Sequence, residues 1–284
     1  MESRSPGYEL LDFGDARKLE RFGDWVLDRP CPAADCAAAH PEAWSLANAR
    51  FDRSDAQAGT WTPAGALPEA WIVQLGSVVL ELKPNEFGHV GVFPEHAASW
   101  AWLAKHIRAS GRPIKVLNLF AYTGGATLAA AAAGAQVVHV DAARNVVAWA
   151  RRNAAHSGLA EAAIRWIVED VPKFVRREVR RGNAYDAVLL DPPSYGHGPK
   201  GQPWHLEAHL PDLLEDCSHL TQGRLTLVHL SCHTPGFEGP RLKSLLEYTF
   251  SFADAGRIEA GALALQTTDG RVLDAGSFAS WCRT

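Results

Sequence analysis

The sequence lacks several features that would assign it to common classes of protein. No apolar run reaches the roughly 18 residues that cross a membrane, and the N-terminal stretch has no apolar leader core, so we expect no membrane association. The five cysteines are odd in number and irregularly spaced, which argues against a disulfide framework and favours a reducing cytoplasm. A formal net charge of −4 gives no general nucleic-acid-binding character, so any basic surface must be local.

Residues at metal-ligand spacing are also scarce. Cys31, Cys36 and His40 are close in sequence, but no second ligand pair at metal spacing follows them. We interpret this segment as a small loop with incidental thiols and predict no metal site.

One stretch, residues 114–135, organises the rest of the chain. An apolar run at 114–120 predicts a strand buried on both faces, and the alanines after Gly125 predict a helix. Thr123, Gly124 and Gly125 form the turn between them. Glycines let a ligand approach the backbone, and a helix N-terminus presents unpaired N–H groups. The stretch therefore predicts the first half of a nucleotide-type cofactor site.

Two later runs end in residues suited to the same site. The run 136–140 ends at Asp141, roughly 20 residues past the glycine turn, where a carboxylate can accept both ribose hydroxyls of an adenosine. An Asp after a strand is also a common helix N-cap, which is the alternative. The run 187–190 ends in Asp191-Pro192-Pro193-Ser194, at the strand end where α/β sheets place substrates.

The order of predicted elements indicates the fold. Strands and helices alternate from residue 114 onward, which predicts a parallel sheet with helices on both faces. A hairpin over 258–265 and 272–281 predicts an antiparallel strand at the end of that sheet. Residues 204–220 are predicted to be helical, with an interruption at Pro211. Another hairpin is predicted across Gly76-Ser77. We predict a small β-rich N-terminal region over 1–90 and an α/β domain over 91–284.

These motifs together resemble a known enzyme class. NLFAYTGG, the strand ending at Asp141, the Glu169-Asp170 pair and DPPS are similar to class I S-adenosylmethionine (SAM) methyltransferases, in particular the bacterial 23S ribosomal RNA cytosine-C5 family. The likeness runs from Leu75 to the C-terminus and includes FGHVGVFPE. Residues 1–70 do not look like the PUA-type RNA-binding domain usual there, so the chain is identified with a PUA-less branch.

The resemblance implies a fold, a cofactor and a substrate class. The fold is a Rossmann-like sheet of seven strands, mostly parallel, with one antiparallel C-terminal strand. The cofactor is SAM, and the substrate is RNA, with ribosomal RNA the leading candidate. The implied cofactor-binding residues are Phe120, Ala121, Tyr122, Thr123, Gly124, Gly125, Asp141, Ala142, Asp170, Val171 and Asp191. Asp170 and Val171 would meet the adenine edge, although Asp170 is equally well placed as a helix N-cap.

The implied catalytic residues are Asp191, Pro192, Pro193, Ser194 and Cys232. The consecutive prolines fix a rigid corner that can hold Ser194 or Tyr195 against a flat acceptor. A Cys232 thiolate would add to C6 of a pyrimidine and make C5 nucleophilic, with His233 helping to form the thiolate. The alternative is a buried, inert cysteine.

Several alternatives remain open at this point. The basic helix over 173–181, together with Lys200, could follow a phosphate backbone, or it could be a solvated charged face. Methylation of a base amino group, a small molecule or a protein would use the same cofactor. A non-catalytic RNA-binding relative is the alternative of another class. A nicotinamide oxidoreductase is disfavoured, because the strand–helix turn lacks G-x-G-x-x-G spacing and DPPS is present. The oligomeric state is left open.

Overall fold

The structure is a computed structural model that describes residues 7–54, 58–198, 201–251 and 256–283. The chain divides into two compact units. The first contains Met1–Ala97 and Ala264–Ala275, and the second contains Ala98–Leu263 and Gly276–Thr284. The predicted division of the chain at residue 90 stays a prediction. Among the described residues, none of the helices is both long and apolar enough to cross a bilayer.

The first unit is built mainly of strands. Five of them form one sheet in chain order: β1 (Tyr8–Gly14), β2 (Arg17–Phe22), β3 (Trp25–Pro30), β4 (Ala49–Arg53) and β5 (Gly59–Thr62). The predicted hairpin is present as β6 (Trp71–Leu75) and β7 (Val78–Leu82). Two 3₁₀ helices, Pro41–Leu46 and Pro94–His96, complete the unit. The N-terminal region is therefore β-rich, as predicted.

A buried carboxylate ties the segment Ala264–Ala275 into the first unit. Arg271 Nη2 donates to Asp12 Oδ1 at 2.6 Å, and Trp44 Nε1 donates to Asp12 Oδ2 at 2.9 Å. Burial raises the pKa of Asp12, but these donors and the backbone N–H groups around them lower it overall to about 2. His40, from the sequence segment with two cysteines, has its Nε2 atom 3.1 Å from Asp269 Oδ2. Its ring thus takes part in the same polar region.

The rest of the chain alternates strands and helices. In order these are α1 (Ala97–Ala109), β8 (Lys115–Leu119), α2 (Gly125–Ala132), β9 (Gln136–Asp141), α3 (Arg144–His156), β10 (Ile164–Val168), α4 (Val171–Arg180), β11 (Ala187–Leu190), β12 (Tyr195–His197), β13 (Pro203–His205), α5 (Leu206–Thr221), β14 (Leu227–Cys232), α6 (Gly239–Thr249), β15 (Gly256–Gln266) and β16 (Val272–Arg283).

Seven of these strands form the main sheet, in the order β10-β9-β8-β11-β14-β16-β15. Strands β10, β9, β8, β11 and β14 pair in parallel, and β16 runs antiparallel to β14. This confirms the predicted α/β fold with a mostly parallel sheet. After β8 the chain adds β9 and then β10 on one side of it. The chain then crosses to the other side of β8 and adds β11 and then β14. The switch between β8 and β11 opens the crevice in which such sheets bind ligands.

Alternation along the strands separates two apolar clusters. Val116, Val137 and Leu189 belong to the cluster that includes side chains of α1. Leu117 and Val138, one residue further along their strands, belong to the cluster that includes α4, α5 and α6. Successive strand side chains point to opposite faces, so both faces of the sheet are covered by helices.

One prediction about α5 is wrong. Pro211 does not interrupt this helix, which runs unbroken from Leu206 to Thr221. A proline inside a helix costs about 3 kcal/mol, because it removes a hydrogen bond and crowds the preceding turn. Leu210, Leu213 and Leu214 are buried on the core side, whereas Pro211 is exposed. Burial of that leucine face offsets the cost. Trp204 and His205, predicted as the start of the helix, instead belong to β13, which pairs with β12.

Candidate active site

The turn after β8 has an unusual backbone. Phe120 and Tyr122 have φ angles of +55° and +48°, in the left-handed region that side chains other than glycine seldom occupy. Gly124, with φ of +94°, is the N-cap residue of α2. Each non-glycine residue held this way costs about 1–3 kcal/mol, and such positions cluster at ligand sites. The surroundings must therefore hold the turn in place.

Asp141 supplies that restraint from the end of β9. Its Oδ2 accepts a hydrogen bond from Tyr122 N–H and its Oδ1 accepts one from Ala143 N–H, both at 2.9 Å. The Ala121 N–H also donates to the Val140 carbonyl at 3.1 Å. Burial raises the pKa of Asp141, and the backbone N–H groups of Ala143 and Tyr122 oppose that rise. The carboxylate thus joins the ends of β8 and β9.

Asp141 also keeps acceptor capacity for a ligand. An ionised carboxylate offers about four lone-pair sites. The Tyr122 and Ala143 N–H groups take one site on each oxygen, and the Ala142 N–H also hydrogen-bonds to this carboxylate. The acceptor capacity that is left can serve a ligand that carries hydroxyl groups. Asp141 does not occupy the N-cap position of α3, since that residue is Ala143.

The two glycines of the turn are needed for packing. A Cβ atom on Gly125 would lie 2.2 Å from Cζ2 of Trp100 in α1. A Cβ atom on Gly124 would lie 3.2 Å from Cβ of Ala150 in α3. The side chain of Asn153 donates to the Thr123 carbonyl at 2.9 Å, which attaches α3 to the same turn. Close approach of two helices is therefore a reason for glycine here in addition to ligand access.

A buried polar chain beneath the turn was not predicted. Asn118 Nδ2 donates to Thr127 Oγ1 at 2.8 Å, and Thr127 Oγ1 lies 3.0 Å from His139 Nδ1. All three residues are buried, and burial lowers the pKa of His139 to about 3, so its ring is neutral at physiological pH. The chain connects β8, α2 and β9. Its signal in the sequence is a single polar residue within each of two apolar strands.

Asp170 is the N-cap residue of α4, as the alternative reading held. Its Oδ1 accepts a hydrogen bond from Lys173 N–H at 3.0 Å. Val171, the next residue, is buried. A Cβ atom on Gly198 would lie 2.8 Å from Asp170 Oδ2, so the loop after β12 passes close to this carboxylate.

The proline corner after β11 is fixed at several points. Ser231 Oγ donates to Asp191 Oδ1 at 2.7 Å, which joins the ends of β14 and β11. Trp204 Nε1 donates to the Pro193 carbonyl at 2.7 Å, and the Ser194 hydroxyl lies 2.6 Å from the Thr234 hydroxyl. Pro192 is buried and Pro193 is exposed.

Tyr195 follows this corner and is 73% exposed. Its ring and the ring of His205 are arranged edge to face, with a centroid distance of 5.1 Å. A mostly exposed aromatic side chain thus lies directly beyond a rigid turn.

Cys232 is the last residue of β14 and only 1% exposed. Burial raises the pKa of its thiol, and Asp191 adds to the rise, whereas hydrogen bonding to Thr234 and the charge of Arg241 oppose it. The Thr234 N–H donates to Sγ at 3.4 Å. His233 Nε2 lies 3.6 Å from Asp191 Oδ1. The thiol is therefore protonated at neutral pH in this conformation.

The basic residues of α4 face carboxylates. Lys173, Arg176 and Arg180 line a cavity of about 710 Å³ together with Asp212, Glu215 and Asp216 of α5. Arg177 Nη1 donates to Glu169 Oε1 at 2.6 Å. These acidic neighbours reduce the capacity of the helix to hold phosphates. Lys200, predicted to act with it, lies outside the described residues.

The predicted site residues lie at or just after the carboxyl ends of five neighbouring strands. Most of those assigned to the cofactor lie at β8, β9 and β10. Asp191, assigned to both roles, and the other catalytic residues lie at β11 and β14. Carboxyl ends of parallel strands share one edge of a sheet, so the fold gathers all of them along that edge.

Comparison with known proteins places the chain among methyltransferases. The family described as S-adenosylmethionine-dependent methyltransferase matches residues 27–218. A SAM-dependent methyltransferase from Agrobacterium tumefaciens, solved by crystallography, is 38% identical, with a TM-score of 0.93 over 99% of this chain and 92% of that chain.

Curated relatives share shorter segments. Ribosomal RNA large subunit methyltransferase K/L of Hahella chejuensis is 32% identical over 163 residues, which is 57% of this chain. Ribosomal RNA large subunit methyltransferase I of Aeromonas hydrophila is 39% identical over 82 residues, which is 28% of this chain. The matched segment covers 21% of the length of each relative.

The packing of Gly125 gives a testable expectation. Gly125→Ala should lower the free energy of unfolding by about 1–3 kcal/mol, because the new methyl group overlaps the Trp100 ring. Trp100→Leu in the same chain should relieve the overlap, so the double variant should lose less stability than the two single variants summed. Urea denaturation of the four proteins measures this cycle. A Gly125→Ala protein as stable as the wild type would contradict the packing role, since alanine is otherwise the better helix former.

Proposed function

From the premise that the chain belongs to the S-adenosylmethionine-dependent methyltransferases, we propose that it methylates a base of RNA, with ribosomal RNA as the leading candidate. The family makes it an enzyme with SAM as its cofactor. The observation that carries the RNA proposal is the exposed ring of Tyr195 directly after the fixed proline corner. Unpaired RNA bases are recognised largely by stacking on such aromatic faces.

We assign the cofactor to the edge formed by β8, β9 and β10. Bound SAM supplies a methyl group on a positively charged sulfur. The remaining acceptor capacity of Asp141 suits the ribose hydroxyls, and the strained turn from Phe120 to Gly125 would hold the methionine part. Ala142, Val171 and Asp170 would flank the adenine. The donor and acceptor chemistry of these residues fits the cofactor.

The RNA substrate is supported by the relatives and by chemistry. Both curated relatives named above are ribosomal RNA large subunit methyltransferases, but this chain spans only 21% of their length. A flat base could lie against Tyr195 while the corner from Asp191 to Ser194 positions its reacting atom. Positioning of this kind supplies much of the rate in a group transfer. A cytoplasmic location, where ribosomal RNA is found, stays a prediction.

The methylated atom depends on Cys232. Methylation at cytosine C5 requires its thiolate to add to C6, which makes C5 nucleophilic enough to take up the methyl group. A base then removes the C5 proton, and the electron pair of that C–H bond expels the thiolate from C6. The 1% exposure of Cys232 and its raised pKa favour a second candidate, methylation of a base amino nitrogen, which needs no nucleophilic cysteine. The cytosine-C5 hypothesis thus requires Cys232 to become accessible when substrate binds.

If Asp141 binds the ribose, replacing it should reduce the preference of the protein for a ligand that carries the 2′-hydroxyl group. Asp141→Asn keeps the shape of the side chain but removes part of its acceptor capacity, so it should bind S-adenosylhomocysteine at least about tenfold more weakly. Wild type should also prefer this ligand over its 2′-deoxy analogue, and the variant should lose most of that preference. Calorimetric titration of both proteins with both ligands measures the effect.

Asp35→Asn, at an exposed acid of the first unit, is the matched control and should bind both ligands as the wild type does. If Asp141→Asn keeps the full preference for the 2′-hydroxyl, the ribose assignment is wrong and Asp141 only holds the turn.

Methyl transfer to RNA is the direct test of the proposed function. Protein incubated with methyl-labelled SAM and RNA from cells that lack it should transfer label to RNA, and mass spectrometry of nucleosides then identifies the base. Cys232→Ala and RNA containing 5-fluorocytosine distinguish the two candidate atoms. Product at cytosine C5, loss of activity in Cys232→Ala and a covalent adduct would support the thiol mechanism.

Full activity in Cys232→Ala, with label on an amino nitrogen, would instead support the second candidate. Label found only in protein or small molecules would overturn the RNA proposal. Tight binding of SAM and of RNA without any transfer would indicate a non-catalytic relative.

A further inference from the structure

The first unit contains a small cavity of about 130 Å³ that the proposed chemistry does not use. It is lined by Lys18, Arg29, Pro30, Phe51, Arg53, Phe87, Gly88, His89, Phe93, Pro94 and Glu95. Pockets for drug-sized ligands and whole cofactors measure roughly 300–1,000 Å³. This one has room for a single flat ring or a similar small group.

Glu95 is the distinctive group in this cavity. The residue is only 8% exposed, and its Oε2 atom is buried with no hydrogen-bond partner among the residues that the structure describes. An unsatisfied buried acceptor costs about 1–3 kcal/mol, and more when it is charged. Glu95 also lines the cavity, so a ligand with an N–H donor would satisfy this oxygen once the side chain turns toward the ligand.

The nearest cations do not satisfy Glu95 because another carboxylate takes their donors. Arg29 Nε donates to Glu20 Oε2 at 2.8 Å, and Lys18 Nζ lies 3.1 Å from Glu20 Oε1. Tyr8 also donates to Glu20 Oε1, at 3.0 Å. A further donor of Arg29, Nη1, is used by the Gly88 carbonyl at 3.1 Å. These contacts satisfy Glu20, and none of them reaches Glu95 Oε2.

Aromatic side chains form the walls. Phe51 is 1% exposed and packs on the backbone of Gly88, where a Cβ atom would lie 2.6 Å from its ring. His89 and Phe93 meet edge to face at a centroid distance of 5.3 Å. Phe87 is 49% exposed, so one face of its ring is available for stacking.

The charged side chains around the cavity indicate which kind of hydrogen-bond donor a ligand should carry. Lys18, Arg29 and Arg53 line the cavity, against the carboxylates of Glu95 and, behind it, Glu20. The excess of cations disfavours a protonated amine and favours a neutral N–H donor carried on an anionic backbone. A nucleotide combines that donor, a flat face and a negative phosphate.

From the buried, unpartnered Glu95 oxygen between aromatic walls and cations, we propose that this cavity binds one unpaired RNA base that carries an exocyclic amino group. The proposal rests on the function proposed above and adds a substrate-recognition site to it. Glu95 accepts from the amino group of cytosine, adenine or guanine, Phe87 stacks on the base, and Arg53 contacts phosphate. Uracil has no exocyclic amino group and is disfavoured.

The test measures binding of the full chain to single-stranded RNA of about 12 nucleotides by fluorescence anisotropy. Wild type should bind oligocytidine and oligoadenosine at least about fivefold more tightly than oligouridine. Glu95→Gln and Glu95→Met should lose that preference. Glu95→Met should also melt at or above the wild-type temperature, because it removes a buried acceptor atom that has no partner. A purely structural Glu95 would instead lower the melting temperature when replaced.

Two further variants separate stacking from charge. Phe87→Ala should weaken binding to every base at least about fivefold, and Tyr248→Ala, at an 86% exposed aromatic, is the matched control. Arg53→Gln should weaken binding to RNA of every sequence by the same factor. It should also reduce the slope of log affinity against log salt concentration by about 0.7. Arg257→Gln, at a mostly exposed arginine, is the control for charge and should change neither quantity.

Equal affinity of the wild type for all bases would overturn the proposal, as would an unchanged preference in both Glu95 variants. The labelled-methyl assay shows which of the two proposals, the cavity or the methylation of RNA, has failed. If the wild type methylates RNA but shows no Glu95-dependent preference, only the cavity proposal fails. If the preference is present but no RNA is methylated, the cavity binds bases and the proposed function fails.

Discussion

The carboxylate of Asp141 is the interaction on which the ligand edge of the second unit depends. By accepting from Tyr122 N–H and Ala143 N–H, it joins the turn after β8 to the start of α3. Two residues of that turn have left-handed backbone angles that an isolated loop would avoid. The restraint comes from the neighbouring strand end and from Asn153 in α3. A turn held in advance loses little further entropy when a ligand binds.

The remaining features of this edge follow from the parallel sheet. Adjacent strands bring Asp141, Asp170 and Asp191 to one side because each follows its strand at the carboxyl end. The Ser231–Asp191 hydrogen bond then fixes the corner where β11 and β14 end. Glycines at 124 and 125 let α1 and α3 approach the turn closely. Local backbone geometry, helix packing and the ligand edge are therefore consequences of one arrangement.

The features of this arrangement that leave a regular pattern in the sequence could be predicted from it. Apolar runs located β8, β9 and β11 to within a few residues, because strands buried on both faces have nearly continuous apolar sequences. The polar chain of Asn118, Thr127 and His139 was missed, since its hydrogen bonds join elements separated in sequence. The effect of Pro211 was misjudged because packing of the leucine face outweighs the local preference of proline. The burial of Cys232 and the unpartnered oxygen of Glu95 likewise depend on tertiary contacts.

The central claim is that Asp141 binds the cofactor sugar while still holding the turn. A crystal structure of the full chain with S-adenosylhomocysteine tests it most directly. We expect both ribose hydroxyls within hydrogen-bond distance of the Asp141 carboxylate, about 2.6–3.2 Å, with the bonds from Tyr122 N–H and Ala143 N–H retained. A ribose bound elsewhere, or a carboxylate that releases Tyr122 N–H to reach the sugar, would contradict the account.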